Sequence, residues 1–296
     1  MARRFYSIAG LTVSIDGLAG VGPLPSFEPF ALADGLGLGA GPDLAITLRA
    51  YDPSSSPVPP EEAMDLVSED MVNRLYMWDG QLVKRTAMRE GDPRCMWTLM
   101  PPNDYTRAEV FIPGDWLDYE NYGNAFLFEK MLLSHGVIML HCSLVADDRA
   151  GHGGIAFTAP SQTGKSTQAN LWRDLRGARI VNGDRAIIRA LPDGIYAYGS
   201  PWAGSSEIYE NERVRLAALV ALAQAPVNTV RPLTHAEGLR YILAGTSLPL
   251  WDDRLFDLGM AAVERLITEV PMPLLSCTPD ARAVEALEEH LGWKQD

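Results

Sequence analysis

Residues 155–172, IAFTAPSQTGKSTQANLW, run from an apolar strand through a turn-forming loop straight into an amphipathic helix, and no other stretch restricts the fold so tightly. The spacing predicts a helix from about Lys165 to Arg176, a stop at Gly177, and a strand at Arg179–Asn182. Upstream, Val137–Ala146 and Gly154–Ala159 read as strands joined by the polar turn DDRAGHG at 147–153. Strand, loop, helix and strand in this order give an α/β reading.

The loop itself, Ala159-Pro-Ser-Gln-Thr-Gly-Lys-Ser166, fits the pattern G-x-x-x-x-G-K-[ST] except that alanine stands at the first glycine. Its backbone can curl so that consecutive N–H groups of Ser161, Gln162, Thr163, Gly164 and Lys165 face one anion, helped by the N-terminal end of the helix. Lys165 would reach the β and γ phosphates of a nucleotide, and Ser166, followed by Thr167, would place its hydroxyl on Mg²⁺. ATP and Mg²⁺ are the expected cofactors. The competing reading is a fortuitous strand-to-helix turn with a surface lysine.

Nineteen residues after Lys165, at the end of the next strand, stands Asn182-Gly183-Asp184-Arg185. One helix and one return strand bring Asp184 back to the same end of the sheet, where a carboxylate can hold Mg²⁺ directly or through water. N-G-D is also strong turn chemistry, so a turn aspartate stays open. His141, in the strand before the hairpin, gains interest only from this company, because a histidine in an apolar strand is more often a core residue. The strip Tyr198–Glu212 sets Gly199, Ala203, Gly204, Ser205 and Ser206 around Trp202, which suits a loop approaching a ligand closely. Glu207 could give the metal a second oxygen, or the strip is an ordinary surface loop. Arg185 and Arg213 could neutralise charge on a transferring group.

Composition removes other classes. Of 296 residues, 47% are hydrophobic and 21% charged, enough apolar material for one large or two modest domains. Thirty-eight acidic against 25 basic residues leave a net charge of −13, which repels the phosphates of nucleic acid and of anionic lipid, so neither is expected as a partner. Cys95, Cys142 and Cys277 are too scattered for a disulfide framework or a zinc site and fit a reducing, cytoplasmic setting. MARRFYSIAG has no apolar segment after its arginines and reads as the start of a mature chain. The most apolar stretch, Met131–Ala146, is broken by Ser134, His135, Gly136 and His141 and falls short of the roughly 20 residues a membrane span needs.

Two domains are expected, 1–115 and 116–296. The first is β-rich, with strands at 11–16, 44–51, 72–78, 81–88 and 108–113 and an Asp79-Gly80 hairpin turn. From about Asp118 a helix through Phe126, Leu127, Met131 and Leu132 is expected to end at Gly136. A strand at Leu216–Ala223 comes later, then a helix opened by a Thr234/Glu237 capping box and two more near 253–269 and 280–291. The last shows Ala281, Val284, Leu287 and Leu291 on one face.

The order of a histidine-bearing strand (His141-Cys-Ser-Leu-Val), a short hairpin, the 159–167 loop, one helix and an acidic strand end resembles the catalytic domain of HPr kinase/phosphorylase. That domain shares one phosphate-loop superfamily with the ATP-type phosphoenolpyruvate carboxykinases. The resemblance covers about residues 120–296. F-T-A-P-S-x-T-G-K-S-T-x-A, N-G-D-R and Y-G-x-P-W-x-G-S-S look most similar to bacterial HPr-kinase-like proteins, some of which accompany lasso-peptide biosynthesis and phosphorylate a precursor serine. The resemblance implies an α/β fold of α+β character, a phosphate-loop catalytic domain with a smaller β-rich N-terminal domain. It implies a Mg²⁺-dependent kinase acting on a serine of a peptide or small protein. Lys165 would then bind phosphate, Ser166 and Asp184 would hold the metal, and His141 would lie beside the transferring phosphoryl. HPr kinases have two successive aspartates at this strand end, and the first place here is Gly183, so either Asp184 takes both duties or His141 or another group is the base. The N-terminal domain could build the acceptor site or a homo-oligomer interface. A kinase of a free amino acid or sugar, and a nucleotide-binding regulatory module without turnover, remain as alternatives.

Overall fold

The structure, a computed structural model, describes residues 3–33, 41–87, 89–92, 94–114 and 122–293. It is a mixed α/β chain that separates into two compact units, Met1–Ser134 and His135–Asp296. The division expected from the sequence is at 115/116, and the described segment Tyr122–Ser134 falls in the first unit.

In the first unit β1 (Arg3–Ile8), β2 (Leu11–Asp16), β3 (Leu44–Tyr51), β4 (Asp65–Glu69), β5 (Asn73–Trp78), β6 (Gln81–Ala87), β7 (Cys95–Met100) and β8 (Arg107–Pro113) form one sheet in the order β1-β2-β3-β8-β7-β6-β5-β4. β3 runs parallel to β2 and β8, and the other neighbours are antiparallel. Asp79 and Gly80 both have positive φ (47° and 75°), which matches their turn to the twist of β5 and β6. The helix expected through Phe126, Leu127, Met131 and Leu132 to Gly136 reduces to a short α1 (Phe128–Leu133) after a 3-10 turn at Tyr122–Ala125, while Asp118, where the change of pattern was placed, and Met88 of the expected 81–88 strand lie outside the described residues. Ala125, Phe126, Leu127 and Phe128 are all buried, and a contiguous apolar run has no helical face to set a longer helix.

The second unit comprises β9 (Ile138–Asp147), β10 (Gly153–Thr158), α2 (Lys165–Arg176), β11 (Arg179–Asn182), β12 (Arg185–Leu191), β13 (Gly194–Tyr198), β14 (Arg213–Gln224), β15 (Thr229–Pro232), α3 (His235–Gly245), α4 (Asp253–Glu269), β16 (Pro273–Cys277) and α5 (Ala281–Leu291). Two strands serve two sets of partners. β9 pairs with β12 through Ile138–His141 and with β10 from Cys142 onward. β14 pairs with β13 through Arg213–Arg215 and then lies parallel to β10 from Leu216 and to β16 from Ala221. The pairings β9–β10–β14–β13–β12–β9 therefore close on themselves, with β11 on the other edge of β9 and β15 beyond β16.

α2 follows from its sequence. Lys165, Gln168, Ala169 and Trp172 fall at i, i+3, i+4 and i+7 and are its buried residues. Trp172 is fully buried with Val145, Ile155 and Phe157 of the sheet and Val284 and Leu287 of α5. Gly177, at φ 68°, ends the helix by donating its N–H to the Arg173 carbonyl at 3.0 Å. Behind α2 a chain of ions joins three elements: Arg149 spans Asp147 (2.5 Å) and Glu288 (2.9 Å), and Arg176 meets Glu288 at 2.6 Å. His152 stacks on Trp293 with ring centroids 4.3 Å apart. Among the described residues no helix is long and apolar enough to cross a membrane.

Candidate functional site

The site gathers at the C-terminal end of β10, where the 159–164 loop turns into α2. Gln162 (φ 63°) and Gly164 (φ 120°) take left-handed backbone conformations, and this curls the loop over the start of the helix. Gln224, the last residue of β14, supports it from below, its side-chain amide donating to the Gln162 carbonyl at 3.4 Å. Ser161, Gln162, Ser166 and Thr167 are exposed, and Thr163 and Gly164 are half-buried.

Lys165 is the exception. Its side chain folds back into the loop and its Nζ donates to the carbonyls of Ala159 (3.0 Å) and Pro160 (3.4 Å), leaving the residue 7% exposed. Burial pulls its pKa down, and the nearby Asp184 carboxylate pushes the other way. A buried ammonium held by neutral carbonyls lacks a full counter-charge, which an anion entering the loop would supply.

Asp184 and His141 meet. His141 Nε2 lies 3.1 Å from Asp184 Oδ1, both side chains about one third exposed, and Arg185 Nε is 3.7 Å from Asp184 Oδ2. The contact follows from strand pairing: Arg185 is directly opposite His141, and the Cys142 N–H donates to the Asp184 carbonyl at 2.9 Å. The His141 hydrogen bond lowers the Asp184 pKa, burial opposes it, and the positive charges of Arg185 and Lys165 lower it further, so the carboxylate is ionised at neutral pH. Cys142, wholly buried behind the pair, has its thiol pushed up to about 12 by burial and stays protonated.

The turn that presents Asp184 is built by Asn182, which the sequence reading passed over as anything more than turn chemistry. Fully buried, it accepts the N–H groups of Asp184 (3.0 Å) and Arg185 (2.7 Å) on Oδ1 and donates through Nδ2 to the carbonyls of Ser200 (3.1 Å) and Trp202 (3.2 Å). An asparagine two residues before the aspartate, able to take the next N–H groups, was the available signal. Ser143 fixes the other side, donating to the Gly183 carbonyl at 2.9 Å.

The small residues of the 198–212 strip serve contacts inside the protein. A Cβ on Gly199 would stand 1.8 Å from the Glu210 carbonyl oxygen, and one on Gly204 2.9 Å from Asp184 Cγ. The turn at Gly204–Ser206 thus lies directly on Asp184. A Cβ at Gly183 would fall 1.9 Å from Ser206 Oγ, so the place a second acidic side chain would enter is filled by a serine from this strip. Glu207, at φ 52°, is exposed, and among the described residues no three His, Cys, Asp or Glu side chains assemble as a metal-binding group. Arg213, expected near the transferring group, instead lies with its guanidinium 4.8 Å above the Tyr196 ring, two strands across from Arg185.

No protein-family model matches the chain, and no curated protein matches it. Among solved structures, the Hpr(Ser) kinase/phosphatase from Coxiella burnetii is similar at 12% identity, with a TM-score of 0.30 over 51% of this chain and 95% of that one. A similarity of that size carries no residue-to-residue correspondence.

Proposed function

We propose that the chain is a Mg²⁺-dependent phosphotransferase that passes the γ-phosphoryl of ATP to a hydroxyl, most simply a serine of a peptide or small protein. The observation that carries this reading is the Lys165 ammonium, buried in a curled loop at a helix N-terminus and held only by carbonyl oxygens within reach of the ionised Asp184. The loop amides and Lys165 would bind the phosphates, with Lys165 exchanging its carbonyl contacts for phosphate oxygens.

The donor set fits Mg²⁺: the Ser166 hydroxyl is exposed in the first turn of α2, and Asp184 offers an ionised carboxylate, both hard oxygen ligands. Bound there, the ion would neutralise charge on the phosphates. Asp184, ionised and oriented by Asn182 and His141, would accept the hydroxyl proton of the acceptor or orient that hydroxyl. Held ionised by the His141 hydrogen bond and by the charges of Arg185 and Lys165, it is a poor proton donor, so the forward transfer is favoured over attack of phosphate on a phosphorylated product.

Lys165→Met keeps the buried stem and removes the charge. ADP release in the presence of seryl peptides should fall about 100-fold or more, with the melting temperature close to that of the parent chain. Undiminished release by this variant would sink the reading.

A further inference from the structure

Three parallel strands end beside one another at the phosphate loop. β10, β14 and β16 run the same way, and Thr158, Ala221 and Leu274 stand in one row, with Cys142 of β9 opposite Thr158 on the other edge. β14 continues three residues past that row to Gln224, whose side-chain amide meets the carbonyls of Gln162 (3.4 Å) and Thr163 (3.5 Å). The loop is therefore flanked by the His141–Asp184 pair on the β9 side and by the end of β14 on the other. In α/β sheets ligands collect beyond the carboxyl ends of the strands.

The chain leaves β14 through residues 225–228 and crosses the end of β16 to reach β15, which pairs with the far edge of β16. The crossing is pinned at both ends. The Ala225 N–H donates to the Cys277 carbonyl at 3.1 Å, and Asn228 accepts the Thr278 N–H at 2.9 Å while donating to Thr278 Oγ1 at 3.1 Å and to Asp280 Oδ1 at 3.3 Å. Between these anchors Pro226 and Val227 are exposed, Val227 at 65%. An apolar pair on a fixed turn offers contact area with little left to order on binding. Thr278 Oγ1 also donates to Asp280 Oδ2 at 2.9 Å, so the polar side chains beside the pair are engaged within the protein.

A nucleotide with its terminal phosphate toward Asp184 and its phosphates on the loop has the other direction along the sheet end left for its nucleoside. That direction leads across β14 to β16, two strand spacings or about 10 Å from β10. We propose that Pro226 and Val227 form the platform on which the nucleobase rests, and that the base is held by apolar area and not by hydrogen bonds to its edge, so that adenine and guanine nucleotides are taken alike. The inference rests on the phosphotransferase reading and adds the nucleotide preference to it. A contact with the face of a base tolerates any base, because each has a π-surface, whereas a site built to hydrogen-bond one base edge rejects the others strongly.

Calorimetric titration of the full chain with ADP, GDP and pyrophosphate, each with Mg²⁺, tests the proposal without turnover. ADP and GDP should bind within about threefold of each other. Val227→Ser should weaken both about fivefold through lost apolar area, and Val227→Trp should tighten both about fivefold through stacking. Pyrophosphate, which has no base, should bind equally to all three proteins. A gain of affinity in the tryptophan variant cannot come from damage to the fold, so the two substitutions together separate a base contact from a structural role. A larger preference between ADP and GDP, nucleotide affinities unmoved by both substitutions, or a loss of pyrophosphate affinity that matches the loss for ADP overturns the proposal. A wild-type chain that binds pyrophosphate but fails one of these checks keeps its phosphate loop and loses only this proposal. One that binds none of the three ligands loses the phosphotransferase reading as well.

Discussion

At Gly183 the absence of a side chain is a steric requirement, since its φ is not in the left-handed region and Ser206 fills the space above its Cα. Ser206 is itself tied down, donating to the Ala203 carbonyl at 2.6 Å and accepting the Ile208 N–H at 3.3 Å. Gly183→Ala should therefore destabilise by about 1–3 kcal/mol through overpacking. In the double variant Gly183→Ala/Ser206→Gly most of that cost should vanish relative to Ser206→Gly alone. Urea denaturation of the four proteins measures the coupling, and strict additivity would show that the two residues do not compete for space. The two halves of this contact are 23 positions apart in loops, so spacing along the chain gave no hint of it. Lys165, Ser166 and Asp184 were legible because local chemistry, a loop before a helix and an acid after the return strand, places them. The His141 contact could be read only through the order of the strands.

Helix α2 shows which elements a sequence declares. Its bounds, Lys165–Arg176, coincide with the expected ones because a buried stripe at 3.6-residue spacing and a left-handed glycine both mark it. α4 and the Thr234/Glu237 capping box of α3 were equally plain. β7, with all six residues buried, escaped notice, since a strand covered on both faces has no alternation to reveal it. Trp172 holds α2 against β9, β10 and α5, and Trp172→Ala should cost about 3–5 kcal/mol by opening a cavity in a fully buried cluster. Guanidinium titration followed by circular dichroism measures it, and a loss under about 1 kcal/mol would mean the helix is held by its ion pairs instead.

Across the whole molecule stability should depend on acid-side pH through the ions behind α2. Burial raises the pKa values of Asp147 and Glu288, but the bonds and charges of Arg149 with Asp147, and of Arg176 and Arg149 with Glu288, outweigh it and hold both below the ordinary range. A carboxyl depressed in the folded state stabilises it above the unfolded pKa of about 4, and that contribution is lost as pH falls through the lower folded value. Asp280 and Glu237, each brought to about 2 by arginine partners and local hydrogen bonds, act in the same direction. The melting temperature should therefore fall between about pH 4 and pH 2, and Glu288→Gln should lower it at neutral pH while flattening the acid-side slope. An unchanged slope in that variant would remove Glu288 from the account.

The double service of β14 also sets the order in which this protein can be assembled during synthesis. β10 finds β9 through a nearby hairpin, but its other edge is met only by Leu216–Ala221, some sixty residues later. Until that stretch has left the ribosome, the strand that ends in Ala159 offers bare backbone donors and acceptors beside Ile155 and Phe157, an apolar template open to any other nascent chain. Parallel partners so distant in sequence close slowly. The strand carrying the lysine loop, like β3 in the first unit, thus waits some sixty residues for its second neighbour.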